Sequence, residues 1–290
     1  MFGTSQIFLN LSFYSILPVA LILWYVYKRD LFPEPPRIVL ITFLLGIGIT
    51  FPLGILIIAV EGFFESFNLG LEANNFFLSF IRAAFLEETM KFFVLVFYCL
   101  HLDVFDEPMD ALVYGVAASL GFAVIENWEY VIGATKEGFE VAKDIALIRS
   151  FTAVPLHALA GVFMGFFLMD AIFQKHNRKF YLFLSLFFPV CLHGLYDLII
   201  FSKNISDYYL YILLIVFLIR AFFIFRKERN LQISSNTKKT KVIPKTSDVI
   251  FVVSLTFIIL LMLNYALNYS LYEWLKRKQV INNWKLDKID

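Results

Sequence analysis

Apolar residues run along this chain in long, nearly unbroken blocks separated by short polar loops. A helix rises about 1.5 Å per residue, so about 20 mostly apolar residues cross the hydrocarbon core of a bilayer. Eight stretches fit that requirement, at about residues 7–27, 37–60, 76–100, 110–133, 149–173, 180–201, 208–225 and 249–272. None alternates with period two, as the strands of a membrane barrel would, and backbone inside lipid must satisfy its own hydrogen bonds. The expected fold is therefore all-α, a polytopic transmembrane bundle of about eight spans with helices three to six as its core.

Composition agrees: 60% of the residues are hydrophobic and only 17% charged, a balance that excludes an ordinary soluble domain. The first apolar segment lacks a basic leader, is too long for a signal peptide, and ends in Lys28-Arg29 without a small-residue cleavage site. It is expected to remain as helix one. Cys99 and Cys191 both lie inside predicted spans, so neither a disulfide framework nor a cysteine zinc site is indicated.

A net charge of +1 conceals strong segregation of charge, which bears on topology rather than on nucleic-acid binding. Lys28, Arg29 and Arg37 follow helix one, Lys175, Arg178 and Lys179 follow helix five, and the loop after helix seven is basic from Arg226 to Lys245. These loops fall on one side of the membrane. The positive-inside bias makes that side cytoplasmic and puts both termini outside the plasma membrane. The tail, with Lys276, Arg277, Lys278, Lys285 and Lys288, runs against that arrangement. The chain divides into four regions: 1–75, two spans and an outer loop; 76–201, a four-helix core; 202–247, a seventh span and basic cytoplasmic linker; and 248–290, a last span and basic tail. No internal repeat supports a duplicated architecture.

Ionisable side chains at mid-bilayer cost about 2.5–3.5 kcal/mol each on insertion scales and read as functional. On helix three, Glu87 and Lys91 share a face, and Glu88 lies three residues from the same lysine. Helix four presents Phe122, Glu126 and Tyr130 on one stripe, with Glu126 as its buried acid and Asn127 beside it. Helix five opens with Arg149 and reaches His157 two turns later, and helix six projects His193 and Asp197 together. Counted from one membrane surface at about 1.5 Å per residue, Glu87, Glu126, His157, His193 and Asp197 share a layer roughly 8–17 Å deep. Glu129 and His101 are expected at the interface, and Asp103, Asp106 and Glu107 in a loop.

Carboxylates in an apolar setting can act as bases toward water, and neighbouring histidines can orient it or stabilise an oxyanion. That is hydrolase equipment. The serine, zincin and presenilin-like schemes lack their residues, since there is no Gly-x-Ser-x-Gly, no His-Glu-x-x-His and no Tyr-Asp with Gly-x-Gly-Asp. An ion- or proton-coupled transporter also uses buried acids and histidines, and a catalytically inert membrane scaffold is a third reading.

The run Glu87-Glu88-x-x-Lys91, then Asp110-Ala111-Leu112-Val113-Tyr114-Gly115, Gly121-Phe122-x-x-x-Glu126-Asn127, His157 and His193-x-x-x-Asp197 resembles the PrsW family of intramembrane proteases. The resemblance covers about residues 80–200. It implies hydrolysis of a peptide bond in membrane-anchored, single-span substrates, such as the first, site-1-type cut of a transmembrane anti-sigma factor outside the cytoplasm. A more distant likeness, to the CAAX-processing endopeptidases, departs at two positions. Glu126 stands where their pattern has His, and Asp197 where it has Asn.

Two mechanisms stay open. In a glutamic version Glu87 activates water, Glu88 and Glu126 hold the water or its proton, and His193 donates to the oxyanion with Asp197 fixing its ring. In a metal version His157, His193 and one or both of Asp197 and Glu126 bind a divalent ion such as Zn2+, and a remaining glutamate is the base. Lys91, Phe122, Asn127, Tyr130 and Arg149 are the expected supporting residues. Lipids and a single-span protein substrate are the expected partners.

Overall fold

The structure, a computed structural model, describes residues 4–67, 69–174, 176–202, 204–234 and 240–286. Lys175, Lys203, Lys288 and residues 235–239 of the basic linker lie outside them. Every regular element among the described residues is helical. In chain order these are α1 (Thr4–Tyr27), α2 (Pro36–Gly48), α3 (Thr50–Phe64), α4 (Leu71–Phe76), a π-helical segment (Phe77–Phe85), α5 (Leu86–Phe97), α6 (Pro108–Ala134), α7 (Phe139–Phe151), α8 (Ala153–Phe173), α9 (Arg178–Phe201), α10 (Tyr208–Ser234) and α11 (Thr246–Leu286), with one 3₁₀ turn at Cys99–His101.

Several of these join end to end into longer rods. Residues 36–64, 108–134, 139–173, 178–201, 208–234 and 246–270 are each long and apolar enough to cross a membrane, and Leu11–Tyr27 is a shorter apolar helix. The rod from Leu71 to Phe97 is excluded by composition, because Arg82, Glu87 and Glu88 interrupt any long apolar run within it. The protein is a multi-pass membrane protein.

Loop contacts fix the ends of the bundle. Gln232, at the end of α10, bonds both Asp30 after α1 and Glu107 before α6, and Val242 N–H donates to the carbonyl of Ile172 at the end of α8. Gly70 N–H donates to Asn268 Oδ1 at the other end. The loops after α1, α5, α8 and α10 thus share one side, the side rich in lysine and arginine.

Helix α6 is the axis. Within its most apolar window 89% of the residues are buried, against 11% for the α2–α3 rod, so α6 is wrapped by other helices while α2–α3 faces lipid. α6 packs on α1, α2, α5, α7 and α8. The α6–α8 approach depends on missing side chains: a Cβ on Gly161 would lie 2.4 Å from the Gly115 carbonyl oxygen, and one on Gly165 2.2 Å from that of Ala111. Lipid tails are as apolar as leucine, so close backbone packing between small residues replaces the hydrophobic effect as the cohesive force.

Two local departures from regular helix position the polar groups. The π-helical segment Phe77–Phe85 ends immediately before α5, two residues ahead of Glu87, and changes the rotational register at which α5 enters the core. The rod expected from residue 149 is divided at Thr152, whose φ of −124° and ψ of −72° lie outside the helical region. Pro155 accounts for a break there, since it has no N–H and is tolerated only in the first turn of a new helix.

Candidate active site

Four helices deliver the acids and histidines to one place. Glu87 and Glu88 lie in the first turn of α5, Glu126 in the last third of α6, His157 near the start of α8, and His193 and Asp197 on α9. Glu88, Lys91, His157 and His193 are buried, Glu87 is 7% exposed, and Glu126 and Asp197 are partly buried. The buried position expected for Glu126 is corrected by this: its side chain is 20% exposed, because α6 ends only two turns farther on.

Lys91 Nζ donates to Glu88 Oε1 at 2.7 Å and to His157 Nδ1 at 3.0 Å, and lies 3.6 Å from Glu87 Oε2. Its charge also sits 4.3 Å from the centre of the Phe122 ring, which gives that phenylalanine a cation–π role at the floor of the site. His157 Nε2 meets Glu126 Oε2 at 2.6 Å, and Arg149 pairs with the same oxygen at 3.0 Å. Arg149 Nε donates to Asn127 Oδ1 at 2.8 Å, and Asn127 Nδ2 donates to the Ser15 carbonyl at 3.2 Å, tying this corner to α1. Tyr130 is 52% exposed and lies under the Arg149 guanidinium, 4.0 Å from ring centre to Cζ.

His193 is held between two acids. Its Nδ1 is 2.9 Å from Glu88 Oε1 and its Nε2 is 3.4 Å from Asp197 Oδ2. The His157 and His193 rings stand edge to face at 5.1 Å. Gly194 lets α9 approach this closely, since a Cβ there would strike the Phe80 ring at 2.4 Å.

The donor set differs from the one expected from sequence. One ligand atom each from Glu87, Glu88, His157 and His193 fall within 4.8 Å of one another. Glu126 and Asp197, expected among the metal ligands, lie instead against the Nε2 atoms of His157 and His193. That is where carboxylates orient histidines and raise their basicity. Arg149 also departs from expectation: it belongs to α7, on the other side of the Thr152 break from His157, yet both meet at Glu126.

Two buried oxygens, Glu87 Oε2 and Glu88 Oε2, have no hydrogen-bond partner, and neither does Thr89 Oγ1. Four carboxylates (Glu87, Glu88, Glu126, Asp197) face two obligate cations (Lys91, Arg149), which leaves two negative charges in a poorly solvated layer. Such charge requires protons or a divalent ion. Two imidazoles and two carboxylates are suitable zinc donors, so the residues fit a metal, with Lys91 supplying part of the positive charge beside Glu88 and His157.

Comparison with known proteins points to the same segment. A family model described as PrsW family intramembrane metalloprotease matches residues 34–222, which contain every residue of the cluster. The chain is 38% identical to a protein named Protease PrsW from Bacillus subtilis (strain 168) over 198 residues, 68% of this chain and 85% of that one. It is 37% identical to the Protease PrsW of Geobacillus kaustophilus (strain HTA426) over 68% of this chain and 82% of the relative. The Protease PrsW of Clostridioides difficile (strain 630) is 30% identical over 73% and 86%. No solved structure matches.

Proposed function

The chain belongs to the PrsW family of intramembrane metalloproteases, and from that premise we propose that it hydrolyses membrane-anchored proteins at the cluster of Glu87, Glu88, His157 and His193. That it is an intramembrane protease follows from the family; the residues, substrate and metal are our reading. The observation that carries it is the meeting of four donor atoms from three helices within 4.8 Å inside the bundle.

Glu87 is the base in this reading. Its Oε2 is buried without a hydrogen-bond partner; Glu88 Oε2 is likewise free, but Glu88 Oε1 is already held by both Lys91 and His193. A base needs a free lone pair to take a proton from water, and the unpartnered Oε2 of Glu87 offers one in this reading. Glu88, His157 and His193 would hold a divalent ion such as Zn2+, the usual three protein ligands of a catalytic site. When bound there, the ion supplies Lewis-acid polarisation and acidifies water. Glu126 and Asp197 fix the two imidazoles, Arg149 holds Glu126, and Phe122 and Lys91 set the charge at the floor. Without an ion, the same residues support the glutamic version, in which His193 donates to the oxyanion.

The substrate class follows from location. A site inside the bundle reaches peptide bonds near the end of a substrate's own span, and a transmembrane anti-sigma factor cut outside the cytoplasm is the example we favour. Basic loops on one side, taken as cytoplasmic, put both termini and the nearer face of the site on the other side of the plasma membrane.

The experiment is cleavage of a single-span substrate in proteoliposomes by wild type, Glu87→Gln and His157→Gln. Wild type is expected to cut while both variants do not, and equal cleavage by Glu87→Gln overturns the assigned base. Metal content of the active preparation separates the two mechanisms: full activity in metal-free protein leaves only the glutamic one.

A further inference from the structure

A second group of buried acids lies at the other end of α6, about 24 Å from Glu126 at 1.5 Å per residue. Asp30, in the loop after α1, accepts from Phe32 N–H at 2.9 Å and from Gln232 Nε2 at 2.7 Å, both through Oδ1. Glu107 Oε1 takes the other proton of the Gln232 amide, whose oxygen accepts from Leu31 N–H. Asp110 Oδ2 accepts from the N–H groups of Asp106 and Glu107, each at 2.8 Å. Glu34 is beside them, its carboxyl in hydrogen-bond contact with that of Asp110 and its Oε2 taking the Tyr114 hydroxyl at 2.6 Å. Glu107 and Asp110 cap the start of α6 through each other's backbone N–H.

These contacts leave the acids unbalanced. Asp30 is 6% exposed and Asp110 fully buried, yet Asp30 Oδ2 and Asp110 Oδ1 have no hydrogen-bond partner. Among the described residues no lysine, arginine or histidine forms an ion pair with Asp30, Glu34, Glu107 or Asp110. Lys241 gives its ammonium to the Leu102 carbonyl and lies 5.7 Å from the Phe105 ring centre. One carboxylate oxygen each from Asp30, Glu107 and Asp110 fall within 4.8 Å of one another. The orphaned oxygens and the shared space are separate observations, and both call for a positive charge.

We propose that Asp30, Glu107 and Asp110, with Glu34 at their edge, bind a hard divalent cation such as Mg2+ or Mn2+, separately from the cluster around Glu87. An all-oxygen donor set selects hard ions over zinc, which favours nitrogen and sulfur. The ion would join three segments distant in sequence: the loop after α1, the start of α6 and, through Gln232, the end of α10. Its role is to clamp that end of the bundle, and it stands whether or not the Glu87 site holds a metal.

Full-length protein in nanodiscs, stripped with chelator, is titrated with Mn2+ while free Mn2+ is read by electron paramagnetic resonance. Wild type, Asp30→Asn/Asp110→Asn and His157→Gln/His193→Gln are compared. The asparagines keep the acceptor oxygens that Gln232 and the backbone use. A saturable Mn2+ class that Mg2+ displaces is expected in wild type and in the histidine variant, and is expected to be lost in the aspartate variant. Should that variant fail to fold, Glu107→Gln alone is expected to weaken binding roughly tenfold or more. Unchanged Mn2+ binding in the acid variants overturns the proposal, as does a wild type whose whole Mn2+ uptake disappears with the histidines.

Discussion

The molecule buries acids in two places and treats them differently. Around Glu87 and Glu88, each carboxylate meets a lysine, an arginine or an imidazole, and an aromatic ring lies beneath the lysine. Around Asp30 and Asp110 the partners are amides and a phenol, which satisfy some lone pairs and leave the charge. The first arrangement is partly offset by Lys91 and Arg149 and can exchange protons through its histidines. The second offers hard carboxylate oxygens and no imidazole, so it is suited to attracting a cation. Burial of acids is therefore no single signal; the partners decide whether it reads as chemistry or as a clamp.

The most severe test of that contrast is Glu87→Gln, which keeps the volume and removes the base. Cleavage is expected to fall by about 10²–10⁴-fold, measured as initial rate on a reconstituted single-span substrate, whereas Asp110→Asn is expected to leave the cleavage chemistry intact. Lys91→Met comes next, because it removes a cation from the Glu87 cluster and makes it resemble the one around Asp30. Leaving Glu88 buried beside no lysine is expected to destabilise the fold by about 3–5 kcal/mol, read by chemical unfolding in detergent, with divalent cations restoring part of the loss. Tyr114→Phe removes the donor that Glu34 relies on and is expected to cost about 1.5–3 kcal/mol by the same assay.

The smallest effect is one of pH. Burial, reinforced by Asp30, Asp106 and Glu34 and opposed by the Gln232 hydrogen bond, pushes Glu107 up to about 7. Its folded-state value is raised above the ordinary carboxylate value, so ionising it in the native state costs stability as pH rises toward 7. A cation that binds the ionised form relieves that cost. Stabilisation by Mg2+ is expected to be larger at about pH 8 than at about pH 6, seen as the difference in thermal midpoint; a response independent of pH would remove Glu107 from the ligands.

Much of this architecture is readable from the chain. The rods follow from apolar run length, and counting residues from one surface brings Glu87, Glu126, His157, His193 and Asp197 to a common depth. Depth does not give azimuth, which is why the pairing differs from expectation: Glu126 and Asp197 back the histidines, and Glu88 joins the donor group. The Gly161-x-x-x-Gly165 spacing carries the close packing of α8 on α6 in the sequence itself, although the polar residues alone do not point to it. The division of α7 from α8 is foreshadowed by Pro155. The π-helical segment has no comparable mark in Phe77–Phe85, and Asp30 with Asp110 cannot be paired across 80 residues of sequence without the fold.

The π-helical segment makes the spacing upstream of the acids a functional quantity in its own right. A regular helix turns about 100° per residue, so deleting one residue between Phe77 and Phe85 would restore ordinary geometry while swinging the two flanking helices out of phase with each other. Either α4 would leave its seat on α11 and α9, or Glu87 and Glu88 would turn from the histidines toward the neighbouring wall. For this chain, then, a deletion in a stretch with no catalytic side chain carries the same weight as the loss of an acid.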